Sequence, residues 1–168
     1  MEMNKRVYLI RLSLTGLWCL GVLLAPALAV ISPGASSAVY SVYKPICHQI
    51  DDRCFYLDGA KLGVCIRCSA IYFSFFISLL SYPLFRRVSS PSFPGRAWIV
   101  LAIAAMAVDV LLNFIGIHIS TPLTRTMTGM LLGMVLPYYL VPPLQEAVSQ
   151  LHSQFLSRGG FFHARKAQ

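Results

Sequence analysis

The stretch Val64–Phe85, VCIRCSAIYFSFFISLLSYPLF, decides how the chain is read. As a helix it is long enough to cross a hydrocarbon layer of about 30 Å, and Pro83 marks its end. It carries a single charge, Arg67, close to its start. It also opens on Cys65-x-x-Cys68, so a chemistry-bearing motif stands where a polar loop enters an apolar helix. At helical spacing Cys65, Cys68 and Tyr72 share one face, with Ser69 beside them. Arg67 then lies on the opposite face, in line with Ser74, Ser78 and Ser81, and is read as serving a second helix contact rather than the cysteines.

Three further apolar segments flank it: Leu12–Ile31, Ala97–Ile117 and Thr126–Val141, the last closed by Pro142-Pro143. The chain of 168 residues is 57% hydrophobic and 12% charged, too apolar for an ordinary soluble domain. The expected fold is all-α, one membrane domain of four transmembrane helices over residues 12–31, 64–85, 97–117 and 126–141. Residues 32–63 form an outer loop, and residues 144–168 form a cytoplasmic tail that frays after Arg158-Gly159-Gly160. The first apolar run also reads as a cleaved signal peptide, with a basic start and an Ala27-Leu28-Ala29 site.

In the outer loop, Ser32-Pro33-Gly34 is a breaker cluster. Val39, Tyr40, Val42, Tyr43, Ile46 and Ile50 form an apolar stripe near helical spacing, which predicts a short helix at the outer interface, with Pro45 opening a second turn. A turn is expected at Asp58-Gly59. The net charge of +8 is distributed around apolar segments, and no basic run or aromatic-basic alternation suggests nucleic acid. Lys5, Arg6, Arg11, Arg86, Arg87, Arg96, Arg158, Arg165 and Lys166 fall on one side; Lys44, Arg53, Lys61, Arg67 and Arg125 fall on or near the other. The first side is therefore expected to be cytoplasmic, with both termini inside a prokaryotic cell membrane.

Asp109 is the sharpest anomaly, because a carboxylate inside a span costs roughly 2.5–3.5 kcal/mol. It lies about 12 Å below the outer surface at the helical rise of ~1.5 Å per residue. It shares its face with Asn113, Ala102, Ala105 and Gly116. It reads either as an ion-pair node or as a protonatable group in a site, and burial in a membrane favours the second. Arg125, on a face with Thr121, Thr128, Gly129 and Gly133, is expected to reach towards Asp109 through Asn113. Gly129-x-x-x-Gly133 is a close-packing motif. Such small-residue faces also suit a homo- or hetero-oligomer within the lipid bilayer.

Cys19 reads as a small buried hydrophobe. The other four cysteines, Cys47, Cys54, Cys65 and Cys68, admit three chemistries. Cys65-x-x-Cys68 with Cys47 and His48 upstream can ligate a zinc or iron ion, with Cys54 as a further donor. Neighbouring Cys47 and His48 diverge on a regular backbone, so one is expected as ligand and the other in support. A Cys-x-x-Cys pair at a helix start can instead exchange disulfides, or two disulfides can staple the loop to the bundle. The corresponding proteins are a metal-binding membrane protein, a thiol-disulfide oxidoreductase, and a structural or partner-binding subunit. Arg53 and Arg67 offer an anionic group a place to bind. His118, His152 and His163 show no ligand spacing.

Cys47-His48-Gln49-Ile50, Arg53, Phe55, Gly59, Leu62, Val64-Cys65, Arg67-Cys68 and Ile71-Tyr72 resemble the signature of a prokaryotic membrane family, domain-of-unknown-function family 2085. Asp109, Ser120-Thr121, Arg125 and Thr128-Gly129 continue the likeness, which covers residues 40–140. Ser69-Ala70 depart from an expected Thr-Gly, and Pro122 from an Asn, which removes an amide near Arg125. The resemblance implies the membrane architecture and no particular activity. The expected site has Cys47, His48, Cys65 and Cys68 as its metal-binding mouth. Tyr72, Asp109, Asn113, Arg125 and Thr128 lie beneath, with Arg53 and Arg67 alongside.

Overall fold

A computed structural model describes residues 5–85, 95–117 and 119–164. Arg86, Arg87, His118, Arg165 and Lys166 lie outside the described residues, as do the side chains of Lys5, His152, Arg158 and His163. The elements are α1 (Lys5–Ile31), α2 (Pro33–Tyr43), a 3-10 turn (Asp51–Arg53), β1 (Cys54–Leu57), β2 (Ala60–Cys65), α3 (Ile66–Phe85), α4 (Arg96–Phe114) and α5 (Pro122–Ala164). Four helices, α1, α3, α4 and α5, are long and apolar enough to cross a membrane. Their exposed faces carry Leu9, Leu14 and Leu17 on α1, Ile77, Leu80 and Leu84 on α3, and Val100, Leu101, Val108 and Leu111 on α4. Those faces suit lipid contact, since acyl chains solvate leucine as well as protein does.

The centre of the bundle is the pair α3 and α5, which run parallel. Gly129 and Gly133 make their approach possible. A Cβ on Gly129 would stand 2.8 Å from the Arg67 carbonyl oxygen and 2.9 Å from the Ala70 Cβ. One on Gly133 would collide with Ser74 Oγ and the Ile71 carbonyl. Helix α1 packs antiparallel to α3: Tyr8 Oη donates to the Leu79 carbonyl at 2.9 Å and the Cys19 thiol to the Tyr72 carbonyl at 3.4 Å. Val22 and Ala25 are fully buried, so α1 is a packed member of the bundle. Helix α4 is peripheral and buries only Ala102 and Asp109. It ends at Phe114, with Gly116 in the left-handed region at φ 76°, a backbone state that glycine reaches without a Cβ penalty.

The short outer-loop helix is present as α2, and it folds back along α1. Ser36 Oγ donates to the Ala25 carbonyl at 2.7 Å, and Tyr43 Oη to the Trp18 carbonyl at 2.8 Å. The apolar stripe stops being helical at Tyr43, so Pro45 lies in a turn rather than opening another helical segment.

The loop and several helix ends differ from expectation, α1 starting at Lys5, α4 ending at Phe114 and α5 starting at Pro122. The loop contains an antiparallel hairpin, β1 with β2, joined by Asp58 and Gly59 at φ 49° and 81°. That is the two-residue turn whose twist matches paired strands. Val64 and Cys65 consequently belong to β2, and α3 starts at Ile66. Helix α5 continues through Pro137, Pro142 and Pro143 to Ala164 instead of stopping at Pro142. Proline removes a donor but keeps a helical φ, and here Tyr138 and Val141 pack against Leu79 and Tyr82, which holds those turns in place.

Candidate functional site

The site forms where the loop after α2 meets the β2–α3 junction. Cys47 N–H donates to the Tyr43 carbonyl at 3.0 Å, which closes the turn behind α2. Two residues on, Gln49 adopts a left-handed conformation at φ 51°. For a residue with a Cβ this costs roughly 1–2 kcal/mol. Its side chain offsets the strain, because Nε2 donates to the Tyr40 carbonyl at 2.9 Å and to the Gly63 carbonyl at 2.8 Å. Lys61 Nζ adds bonds to the Gln49 carbonyl at 2.9 Å and to Asp51 Oδ1 at 2.7 Å. Tyr40 Oη donates in turn to the Lys61 carbonyl. The loop is thus pinned between α2 and β2, with Cys47 turned inward and buried and His48 exposed at the rim.

Strand β2 delivers Cys65 as its last residue, and α3 places Cys68 one turn further on. The Cys65 N–H donates to Cys47 Sγ at 3.1 Å. The sulfurs of Cys47, Cys65 and Cys68 all lie within 4.8 Å of one another. The Cys65 thiol is drawn well below the ordinary cysteine range. The Cys68 thiol hydrogen-bonded to it does most of this; the backbone N–H groups of Cys68 and Arg67 and the Cys47 thiol add to it, against the opposing effect of burial. Cys65 therefore works as a sulfur N-cap for α3, where the positive helix end favours thiolate.

Cys54 is the cross-strand partner of Cys65, yet it stands outside the triad. Burial, reinforced by Cys65 and Cys47, pushes its thiol up to about 11, which keeps it neutral. The structure holds all five cysteines as free thiols. Cys19 is buried in α1, away from the triad.

In front of the triad lies a cavity of about 560 Å³. His48, Arg53, Arg67, Asn113 and Arg125 contribute its polar wall; Ile46, Ile50, Val110 and Phe114 contribute its apolar one. Three expected members take other positions. Tyr72 packs below the cysteines in the core around Val22 and Tyr43, edge-on to Trp18 at 6.1 Å. Thr128 Oγ1 turns back to the Thr124 carbonyl at 2.8 Å, within its own helix. Asp109 is 7% exposed and sits behind the wall, so neither it nor Tyr72 forms the floor of the chamber.

Asp109 also takes a different partner from the one expected. It pairs with Arg67, not Arg125, and accepts a hydrogen bond from Ser120 Oγ at 2.9 Å. Asn113 Oδ1 accepts from the Ser120 N–H at 3.0 Å, so Ser120 fills the space through which Arg125 was expected to reach. Arg67 reaches α4 through Asp109 and also lines the cavity beside Cys65 and Cys68.

Sequence reading assigned no part to Gln49 or Ser120. No spacing marks either one, since each acts on backbone or side chains far away in the chain. The hairpin did leave a signal, Asp58-Gly59 between Cys54-Phe55-Tyr56-Leu57 and Ala60–Cys65.

Bundle and site together define a membrane protein with a three-thiol cluster and an arginine-lined cavity at one end of its spans. The model of a family described as "predicted membrane protein (DUF2085)" matches residues 47–139, and the chain belongs to that family. It is also 31% identical over 150 residues to the uncharacterized protein MJ1492 of Methanocaldococcus jannaschii, covering 86% of this chain and 96% of that protein. No solved structure matches the chain.

Proposed function

We propose that this is a metal-binding membrane protein, with Cys47, Cys65 and Cys68 as ligands to a zinc or iron ion. The observation that carries the reading is the convergence of three sulfurs from separate elements within 4.8 Å. Sulfurs around a tetrahedral zinc with bonds of ~2.3 Å stand roughly 3.8 Å apart, so rotamer adjustment suffices to close the triad. Soft thiolates select such metals over magnesium or calcium. Three protein ligands leave a fourth position, as in metal sites that handle a ligand rather than closed structural ones. Exposed His48 at the cavity rim supplies a base or a fourth donor there.

The residues divide the work. Cys65 is drawn towards thiolate chiefly by the Cys68 thiol, with the first N–H groups of α3 adding to it, Cys47 is aimed by the Gln49 clamp, and Cys54 remains a neutral thiol outside the triad. We place the cavity at the outer face of a prokaryotic cell membrane, because the basic residues gather at the other end of the spans.

Elemental analysis of protein purified without added metal tests the reading. Near-stoichiometric zinc or iron is expected in the wild type and is lost in Cys65→Ser and Cys68→Ser, while Cys54→Ser keeps it. Folded wild-type protein free of metal under those conditions would sink the proposal.

The lowered Cys65 thiol beside two others favours a second reading, thiol-disulfide exchange. Acid trapping of thiols in intact cells separates the two. A Cys65–Cys68 or Cys47–Cys65 disulfide that turns over supports exchange, and fully reduced cysteines support the metal.

A further inference from the structure

The lining of the cavity includes three arginines, Arg53, Arg67 and Arg125, and no acidic residue. Asp109, which does not line the cavity, forms an ion pair with Arg67 and acts on Arg125 only at longer range, one carboxylate against three cations. The three cations come from separate parts of the chain: the 3-10 turn, the first turn of α3 and the first turn of α5. They lie within electrostatic reach of one another, since Arg53 and Arg67 both act on Arg125. Gathering like charges costs free energy unless something anionic offsets them. Nothing among the described residues does so for Arg53 and Arg125 as it does for Arg67.

Two further observations point to a ligand. The Nε atoms of Arg67 and Arg125 are buried and have no hydrogen-bond partner. Buried donors are almost always satisfied, so these two guanidinium groups are held with hydrogen-bonding capacity unused while the same side chains line the cavity. An arginine that merely snorkelled to the surface would carry its head into water. In addition, α3 and α5 run parallel, and the first turn of each places an arginine on the cavity, Arg67 and Arg125.

We propose that the cavity binds a phosphate group on Arg53, Arg67 and Arg125, supplied either by the headgroup of an anionic phospholipid or by a soluble phosphate compound. A tetrahedral group with several charged oxygens suits three forked donors better than a carboxylate does. The apolar part of the lining fits the first source well. Ile46, Ile50, Val110 and Phe114 are apolar, and Phe114 is 85% exposed on the flank of α4, where an acyl chain would lie. The site does not depend on a metal at the thiols, because the arginines are present in either case.

Native mass spectrometry of the full chain in detergent tests this directly. The probes are phosphatidylglycerol, phosphatidylcholine and inorganic phosphate. The tightest phosphatidylglycerol is expected to stay bound at one per chain, in preference to phosphatidylcholine. Retention is expected to weaken about tenfold in Arg125→Gln and in Arg53→Gln, and to be unchanged in Arg96→Gln at the far end of α4. Both site variants leave the Arg67–Asp109 pair intact, and thermal unfolding checks their folding. Inorganic phosphate that binds by itself, with the same arginine dependence, assigns the site to a soluble phosphate; lipid retention that millimolar phosphate does not compete away assigns it to the headgroup. Absence of binding by phosphatidylglycerol and by inorganic phosphate, or equal binding by folded Arg53→Gln, Arg125→Gln and wild type, would overturn the proposal. Metal content measured on the same samples keeps the two readings apart. Cys68→Ser is expected to lose metal and keep the lipid.

Discussion

At the scale of single residues, the Arg67–Asp109 pair shows how a charge is tolerated inside a span. Asp109 is nearly sealed from solvent, and it has both Arg67 and the Ser120 hydroxyl as partners. The pair ties α3 to α4, which otherwise buries little. Removing one partner strands the other in a poorly solvated site, at a cost of about 3–5 kcal/mol. Asp109→Asn and Arg67→Gln are therefore each expected to lower the unfolding temperature in detergent markedly. The double variant Arg67→Met with Asp109→Leu should recover most of the loss. Singles as stable as wild type would mean that Asp109 is held for some purpose other than this bond.

At the scale of elements, two junctions control the site. The first is the α3–α5 contact, where Gly129 and Gly133 leave room for the Arg67 and Ile71 carbonyls. Gly133→Val meets Ser74 Oγ, which can rotate away, and the Ile71 backbone, which cannot, and should cost at least ~1–3 kcal/mol as overpacking. Loss of helical signal at a lower temperature than in Gly95→Val, where a Cβ meets nothing within 4 Å, is the expected result. The second junction is the hairpin. Gly59 holds φ 81° in open space, so Gly59→Val meets backbone strain and no clash. A penalty of roughly 1 kcal/mol is expected, with weaker metal retention because β2 positions Cys65. Unchanged metal affinity in a demonstrably loosened hairpin would show that α3 alone positions Cys65.

At the scale of the molecule, four spans form a thin bundle with one built end. Helices α1 and α2, with the hairpin, wrap a small core of Val22, Tyr43, Cys47, Leu62 and Val64 directly beneath the thiols. Concentrating packing there holds the cavity rigid while the other faces meet lipid. The charge distribution predicts that this end faces outward. A cysteine introduced by Asp58→Cys, at the hairpin tip, should react with a membrane-impermeant maleimide in intact cells. Reaction only after lysis would reverse the orientation and place the arginine cavity in the inner leaflet.

The sequence by itself determined the membrane class, the four spans and the gathering of Cys47, Cys65 and Cys68 near one face. Those properties follow from apolar length and from residues close together along the chain. It also carried the close-packing role of Gly129 and Gly133, because helical spacing is enough to align them. Only the tertiary structure decided that Arg67 holds Asp109, that Arg125 turns to the cavity, and that Tyr72 and Thr128 stand outside it. Those outcomes rest on how the helices pack: Asp109 of α4 meets Arg67 of α3 and Ser120, and Tyr72 of α3 meets Trp18 of α1. Contacts between residues so far apart along the chain leave no periodic trace in a single sequence.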